Sequence, residues 1–177
     1  SKRNSKFANS GIVVAIELED MVKFKNHEEF AGLEMQKQLE QRAWKAAGEK
    51  QTAPAQRMVD FVNGKVSSEL NDCSYIPGLA SVDLMEVLGK DMGLRLRGAF
   101  RAFGKKKKSY FTNEANLVGV ESRSSAPIRI PRGRESFEHT EVTGLFPCGE
   151  GAGYAGGIVS AAMDGERVAE AVALKFK

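Results

Sequence analysis

Five glycines, Gly149, Gly151, Gly153, Gly156 and Gly157, crowd into nine residues between a short apolar stretch, residues 145–148, and a helical repeat that begins at Ile158. The apolar residues Ile158, Ala161, Ala162, Val168, Ala169 and Val172 recur at helical spacing while Asp164, Arg167 and Glu170 fall on other faces, so the stretch reads as strand, loop, helix. The first turn of a helix carries N–H groups without intrahelical acceptors, and the macrodipole adds partial positive charge there. Glycines leave such amides uncovered by side chains. Gly156, Gly157 and Ile158 are therefore candidate donors to an electron-rich ligand atom, a phosphate oxygen or a ring carbonyl. Glu150 weighs against phosphate, because a carboxylate repels it yet readily accepts hydrogen bonds from sugar or polyol hydroxyls. A hydroxyl-rich, weakly anionic cofactor portion fits this set. The competing reading is a glycine turn that only packs strand against helix.

Known glycine motifs do not account for the loop. No Gly-Lys-Ser/Thr follows, which excludes a P-loop, and Gly149, Gly151 and Gly153 make GxGxG rather than the GxGxxG of a dinucleotide site. Upstream, Ser124 and Ser125 offer small donors, and Arg123 and Arg129 offer fixed charge and planar forks for a carboxylate, a phosphate or a flavin carbonyl. The alternative for both arginines is salt bridging on the surface of a hairpin. Tyr75 is a candidate substrate contact, although a tyrosine that anchors its own loop is the plainer reading. No acid or base stands out: His27 reads as a first-turn surface residue, and His139 has no triad spacing.

The stretch Phe-Pro-Cys-Gly-Glu-Gly-Ala-Gly-Tyr-Ala-Gly-Gly-Ile-Val-Ser-Ala-Ala-Met-Asp-Gly at residues 146–165 resembles the C-terminal flavin-binding signature of a family of poorly characterised FAD-dependent oxidoreductases, relatives of flavoproteins with a two-part dinucleotide fold. Glu-Ser-Arg-Ser-Ser-Ala-Pro-Ile-Arg-Ile-Pro-Arg at 121–132 and Ser-Tyr-Ile-Pro-Gly at 74–78 extend the resemblance over most of residues 54–174. The resemblance implies FAD as cofactor, with Glu150 on the ribityl chain and Gly156, Gly157 and Ile158 at the flavin edge. Gly149, Gly151, Ala152, Gly153 and Tyr154 lie in the same signature, and Arg123 is expected beside the ring. Ser124, Ser125, Arg129 and Tyr75 are expected toward a small-molecule substrate, with NAD(P)H a candidate co-substrate. Such flavoproteins begin with a strand, GxGxxG and a helix that hold the FAD pyrophosphate, and residues 1–63 supply none of these. The chain is therefore expected to be the C-terminal piece of a longer enzyme, whose N-terminal pyrophosphate-binding part is its first partner.

Composition is that of an ordinary globular protein, with 42% hydrophobic and 28% charged residues, enough at 177 residues for one sizeable core or one core plus a small lobe. No run approaches the eighteen or so apolar residues of a membrane span, and no signal peptide opens the chain. Cys73 and Cys148 are too isolated for a metal site or a disulfide framework, so the expectation is no metal and a reducing compartment, the cytoplasm or an organelle's stroma or matrix. Much of the net charge of +3 sits in the lysine run 105–108, which reads as a solvated helix cap. Without an interleaved aromatic face it argues against nucleic acid.

The elements expected to position these residues follow from patterning. Residues 12–18 alternate as a strand, and Asn26 with Glu29 opens a helix over 27–47 that Gly48 ends. Pro54 starts a helix that stops at Asn63-Gly64, Asp83 caps another, and 94–103 form one more. Residues 116–122 and 127–131 return to strand, before the closing strand, loop and helix. The expected fold class is α/β, an α+β fragment: the C-terminal part of a two-dinucleotide-fold FAD-binding domain plus a mainly helical substrate or lid domain. Residues 1–20 are expected to join its sheet, 21–115 to form the helical domain, and 116–177 to complete the FAD domain. The leading functional expectation is an FAD-dependent oxidoreductase. The alternatives are a non-enzymatic module that binds a nucleotide or nucleic acid, and a flavin fold that serves only as a scaffold.

Overall fold

The structure, a computed structural model, describes residues 4–177. It mixes helices with a small three-stranded sheet, compatible with the α+β class. Two compact units share the chain: the residues up to Asp20 with Lys37–Val120, and Met21–Gln36 with Glu121–Lys177.

The first unit is built on a sheet of order β2-β1-β3, with β1 at Ala53–Arg57, β2 at Leu79–Ser81 and β3 at Asn116–Val118. Strand β1 runs parallel to β2, with Ala53 opposite Leu79, and antiparallel to β3, with Ala55 opposite Val118. Pro54 therefore lies in the central strand, where the sequence pattern expects a helix start. A proline is tolerated near the beginning of a strand because only its N–H is lost, and its carbonyl still accepts from Gly119 N–H at 2.9 Å. The helix begins instead at Met58 (α2, Met58–Asn63) and ends, as the Asn-Gly pair predicts, at Gly64 with φ of 71°. Gln56 is fully buried and its amide spans the unit, donating to Lys65 O at 2.8 Å and accepting from Leu84 N–H at 2.9 Å.

Around the sheet pack α1 (Ala31–Ala46), whose later residues belong to this unit, α3 (Leu84–Leu88) and α4 (Lys90–Lys106). Asp83 caps α3 by accepting from Met85 N–H at 2.8 Å, as expected of its position. Phe61, Val62, Leu84, Val87 and Phe100 meet in the core with Ala43 and Met58, and Phe61 stands edge-on to Phe100 with centroids 6.2 Å apart. Helix α4 starts four residues earlier than its pattern predicts and lies against α3, at Gly93, where a Cβ would sit 2.3 Å from Met85 Sδ. The capping-box helix start at Asn26 is not formed: Leu18–Phe30 is 3-10 helical with a break at Glu28, and regular α-helix begins at Ala31.

The second unit contains α5, Ile158–Lys175, which begins where its apolar repeat begins. Residues 12–18, 127–131 and 145–148, all read as strands, join no sheet among the described residues. Strand structure needs a neighbour for its N–H and C=O groups, and no described segment supplies a ladder to them. Ile12 still packs against the first unit's core, and Ile130 makes one ladder-like bond, N–H to Ala152 O at 3.2 Å.

Candidate functional site

The glycine loop is held from beneath by an ion pair that the sequence pattern does not reveal. Asp164 lies six residues into α5 and is buried on the face that also carries Ala161, Gly165 and Val168, not on another face as its pattern reads. Its carboxylate grips Arg132 through two bonds, of 3.0 and 2.6 Å, and accepts the N–H of Gly149 at 2.8 Å. Arg132 donates further to Pro147 O at 2.7 Å, and its guanidinium stacks 3.6 Å from the ring centroid of Tyr154. Arg132 holds the Asp164 carboxyl below the usual carboxylate range; burial opposes this and the Gly149 amide adds to it. The two side chains together thus fix the start of the loop, the preceding strand-like segment and the helix.

The glycines divide into two groups. Gly153 adopts φ of 83°, and a Cβ there would lie 2.6 Å from Ile128 O, so its lack of a side chain serves the close approach of segment 128–130. Gly149 also lies in the left-handed region, with φ of 71°. At Gly151 a Cβ would meet nothing within 4 Å, at Gly156 only Ser124 O at 3.9 Å, and at Gly157 only Ser160 Oγ at 3.6 Å. Those three positions are exposed, and folding of this chain does not require them to be glycine. Exposed Glu150 stands at one end of the loop and Ile158, 93% exposed, at the other.

The remaining candidates take different places. Ala152 is buried, and its carbonyl is the acceptor for Ile130. Tyr154 donates its hydroxyl to Ile130 O at 2.9 Å and its N–H to Gly149 O at 3.0 Å, so its polar groups serve the loop itself. Gly157 N–H is taken by Ser160 Oγ at 3.1 Å, and the first intrahelical backbone bond is Ala161 N–H to Gly157 O, which leaves the first-turn amides of Ile158, Val159 and Ser160 without an intrahelical acceptor. Segment 121–130 runs beside the loop, where Gln36 donates to Ser122 O at 2.5 Å and Gly32 sits close under Pro127. Arg123, Ser124, Ser125 and Arg129 are exposed along it, and the Arg129 guanidinium lies 4.4 Å from the Tyr154 ring centroid. Tyr75 belongs to the first unit and donates its hydroxyl to Gln51 O at 2.8 Å. His139 accepts two backbone N–H bonds at Nδ1, from Glu141 and Val142, and so anchors a turn. Among the described residues no three His, Cys, Asp or Glu side chains are grouped to hold a metal ion, and no helix is long and apolar enough to cross a membrane.

Against this geometry, the family described as FAD-dependent protein, C-terminal domain-like matches residues 1–124, well over half of the chain. The chain belongs to this FAD-dependent family. The match takes in Tyr75, Arg123 and Ser124 and stops before the glycine loop. An uncharacterised protein of Clostridium beijerinckii (strain ATCC 51743 / NCIMB 8052) is 42% identical over 171 residues, 96% of this chain and 31% of its own length. So broad a match includes the glycine loop, and the chain spans about a third of the relative. Membership therefore rests on the N-terminal two-thirds, whereas the sequence signature that resembles a flavin site lies mostly beyond it.

Proposed function

We propose that this chain is the C-terminal part of an FAD-dependent oxidoreductase, and that its glycine loop and the start of α5 hold the ribityl chain and ring edge of FAD. The observation that carries this reading is the open space in front of Gly151, Gly156 and Gly157 at an exposed helix start, next to the exposed carboxylate of Glu150. Side chains at these three positions would fill that space, while the chain's own packing does not forbid them. Uncovered amides and an acceptor for polyol hydroxyls match the two chemical faces of the flavin portion of FAD.

On this reading Glu150 accepts from ribityl hydroxyls, and Ile158 N–H, backed by the dipole of α5, donates to the pyrimidine edge of the ring. Gly149, Gly153, Ala152 and Tyr154 act by shaping the loop over the Arg132–Asp164 pair. Arg123 beside the loop contributes positive potential that favours negative charge on the reduced ring, and Ser124, Ser125 and Arg129 extend that face toward a small-molecule substrate. Bound flavin would supply the hydride or electron chemistry, with NAD(P)H a candidate co-substrate, and the protein supplies position and electrostatics. The FAD pyrophosphate would be held by sequence corresponding to the part of the Clostridium protein outside the match. The strand-like segments 127–131 and 145–148 would then find their ladder partners there.

The test is cofactor retention in the full-length protein. Glu150→Ala removes an acceptor contributing about 1.5 kcal/mol, and about tenfold weaker FAD binding is expected by flavin fluorescence after dialysis. Gly157→Val places a branched side chain in the ligand's approach and is expected to lose FAD altogether while keeping the wild-type circular dichroism. A full-length protein that is colourless, or a Gly157→Val variant that remains fully loaded with FAD, overturns the assignment.

A further inference from the structure

From residue 92 to residue 113 the chain carries three arginines and four lysines without one aspartate or glutamate. Helix α4 spans most of this stretch, and Arg97, Arg101 and Lys105 recur on it every fourth residue, so they form a row along one side with about 6 Å of rise between neighbours. Arg95, on a different side of the helix, is paired with Asp20.

The row meets the end of α2. Arg101 donates to Val62 O at 3.1 Å, and the terminal nitrogens of Arg97 lie beside Gly64, where a Cβ would stand 3.5 and 3.6 Å from them. Lys65 follows Gly64 and is exposed. Asp60, the acid of α2, is engaged by Arg57 Nε at 3.7 Å, by Ser67 Oγ at 2.8 Å and by Asn113 Nδ2 at 3.2 Å. Among the described residues no carboxylate stands within ion-pair distance of Arg97, Arg101, Lys65 or Lys105. Three cations thus meet at one helix end without a counter-charge of their own.

Arg97 is the fixed member of the group. Its guanidinium carbon lies 5.1 Å from the ring centroid of the fully buried Phe61, and its Nε is buried without a hydrogen-bond partner. The other donors of the fork make no hydrogen bond within the described chain. An arginine located by an aromatic face and spending no donor on its own chain is preorganised for an external acceptor.

We infer that Arg97, Arg101 and Lys65, with Lys105 one turn further along α4, form a binding site for the terminal phosphate of a small organic phosphate. Two planar forks and an ammonium offer more charge and more donors than one carboxylate can use, whereas a phosphomonoester brings three acceptor oxygens and about two negative charges. The phosphodiesters of a nucleic acid carry one charge each and match three convergent cations less well. The site lies within the first unit and requires nothing of the flavin reading, so phosphate binding and FAD retention are separate measurements on separate residues.

The 177-residue chain is titrated at low salt with adenosine monophosphate, with adenosine, and with cyclic adenosine monophosphate, which keeps the base but carries a singly charged diester. Amide shifts in heteronuclear NMR spectra are the readout. Saturable shifts at residues 62–65 and 97–105 are expected with the monophosphate, at least tenfold weaker binding with the cyclic diester, and none with adenosine. Arg97→Gln, Arg101→Gln and Lys65→Gln are each expected to weaken the monophosphate at least fivefold, while Lys106→Gln, off the row, changes its affinity less than twofold. Arg97→Gln also uncovers Phe61, so the decision rests on the exposed Arg101 and Lys65. No saturable shift with the monophosphate, equal affinity for the cyclic diester, a Lys106→Gln effect as large as that of Arg101→Gln, or wild-type affinity in both Arg101→Gln and Lys65→Gln would overturn the assignment. A short oligothymidylate without terminal phosphates separates the two sources of phosphate: binding tighter than that of the monophosphate would make the row a nucleic-acid track and refute the small-ligand site.

Discussion

The two units of this chain are held together by different physics. In the first, Phe61, Val87, Ala55 and Gln56 are almost completely withdrawn from solvent, and the apolar core spans α1 to α4. In the second, Pro147, Ala152 and Val168 are the buried apolar residues among those described, while Ile158, Val159, Leu174 and Phe176 are more than two-thirds exposed. The second unit relies on polar ties: Arg132 with Asp164, Asp164 with Gly149, and Glu138 with both Lys175 and the Gly144 amide. Burial is non-directional and tolerates approximate placement, whereas charged, bidentate bonds fix geometry within tenths of an ångström. The unit that carries the glycine loop uses the second kind, which is what the proposed ligand cradle would require.

The largest expected effect tests the apolar side of this contrast. Phe61→Ala should destabilise the first unit by about 4 kcal/mol, read from chemical denaturation, because it empties a fully buried aromatic site. Hydrogen exchange should show protection lost across β1, α2 and α4. Equal loss in α5 amides would mean that the units unfold as one, and the contrast would fail. Next in size, Asp164→Ala leaves Arg132 without its partner in a site where both side chains are about nine-tenths shielded, and about 3 kcal/mol is expected from the second unit.

The same pair gives a pH signature. The folded Asp164 pKa lies below its ordinary value of 3.8, held there first by Arg132. A depressed carboxylate contributes stability that is fully present above the unfolded pKa and is lost as pH falls through the folded one. Wild-type α5 amides should therefore lose exchange protection as pH drops below about 4. Asp164→Asn, already weakened at neutral pH, should show a flatter profile over that window. An Asp164→Asn profile as steep as the wild type would show that other carboxylates control acid unfolding of this unit.

What was legible in the sequence follows the range of the interactions. Helix α5 is readable because its hydrogen bonds close within four residues, and the stops at Gly48 and Gly64 are readable because positive φ favours glycine locally. The strands at 12–18, 127–131 and 145–148 are misread because alternation marks a capacity for pairing, and pairing depends on a distant partner. Pro54 is misread because a proline fits both a helix start and the beginning of a strand. The Arg132–Asp164 pair spans 32 residues, beyond the reach of a local pattern. Asp164 reads from its polarity as lying on another face than the apolar stripe, whereas the structure buries it between Ala161 and Val168, where an acid requires a partner. The glycine cluster announced a loop, but the division of labour among its glycines depends on segment 128–130 lying alongside.

That division supplies the finest test, with the smallest effect on folding. Gly153→Ala places a methyl group 2.6 Å from a carbonyl oxygen and forces a non-glycine residue into positive φ, so about 2 kcal/mol of stability is expected to be lost. Gly151→Ala adds the same methyl into open space without a positive φ, and its melting temperature should stay within about 1 °C of wild type. In the full-length protein the order should reverse when FAD affinity is normalised to the folded fraction. Gly151→Ala is then expected to weaken FAD several-fold, because the methyl group stands where the ligand would lie. If Gly151→Ala changes neither quantity, open space at residue 151 is merely unused surface, and the cradle narrows to Gly156, Gly157 and Ile158. If it lowers stability as much as Gly153→Ala, the loop is packed against chain that these residues alone do not show, and bare glycine at 151 ceases to speak for a ligand.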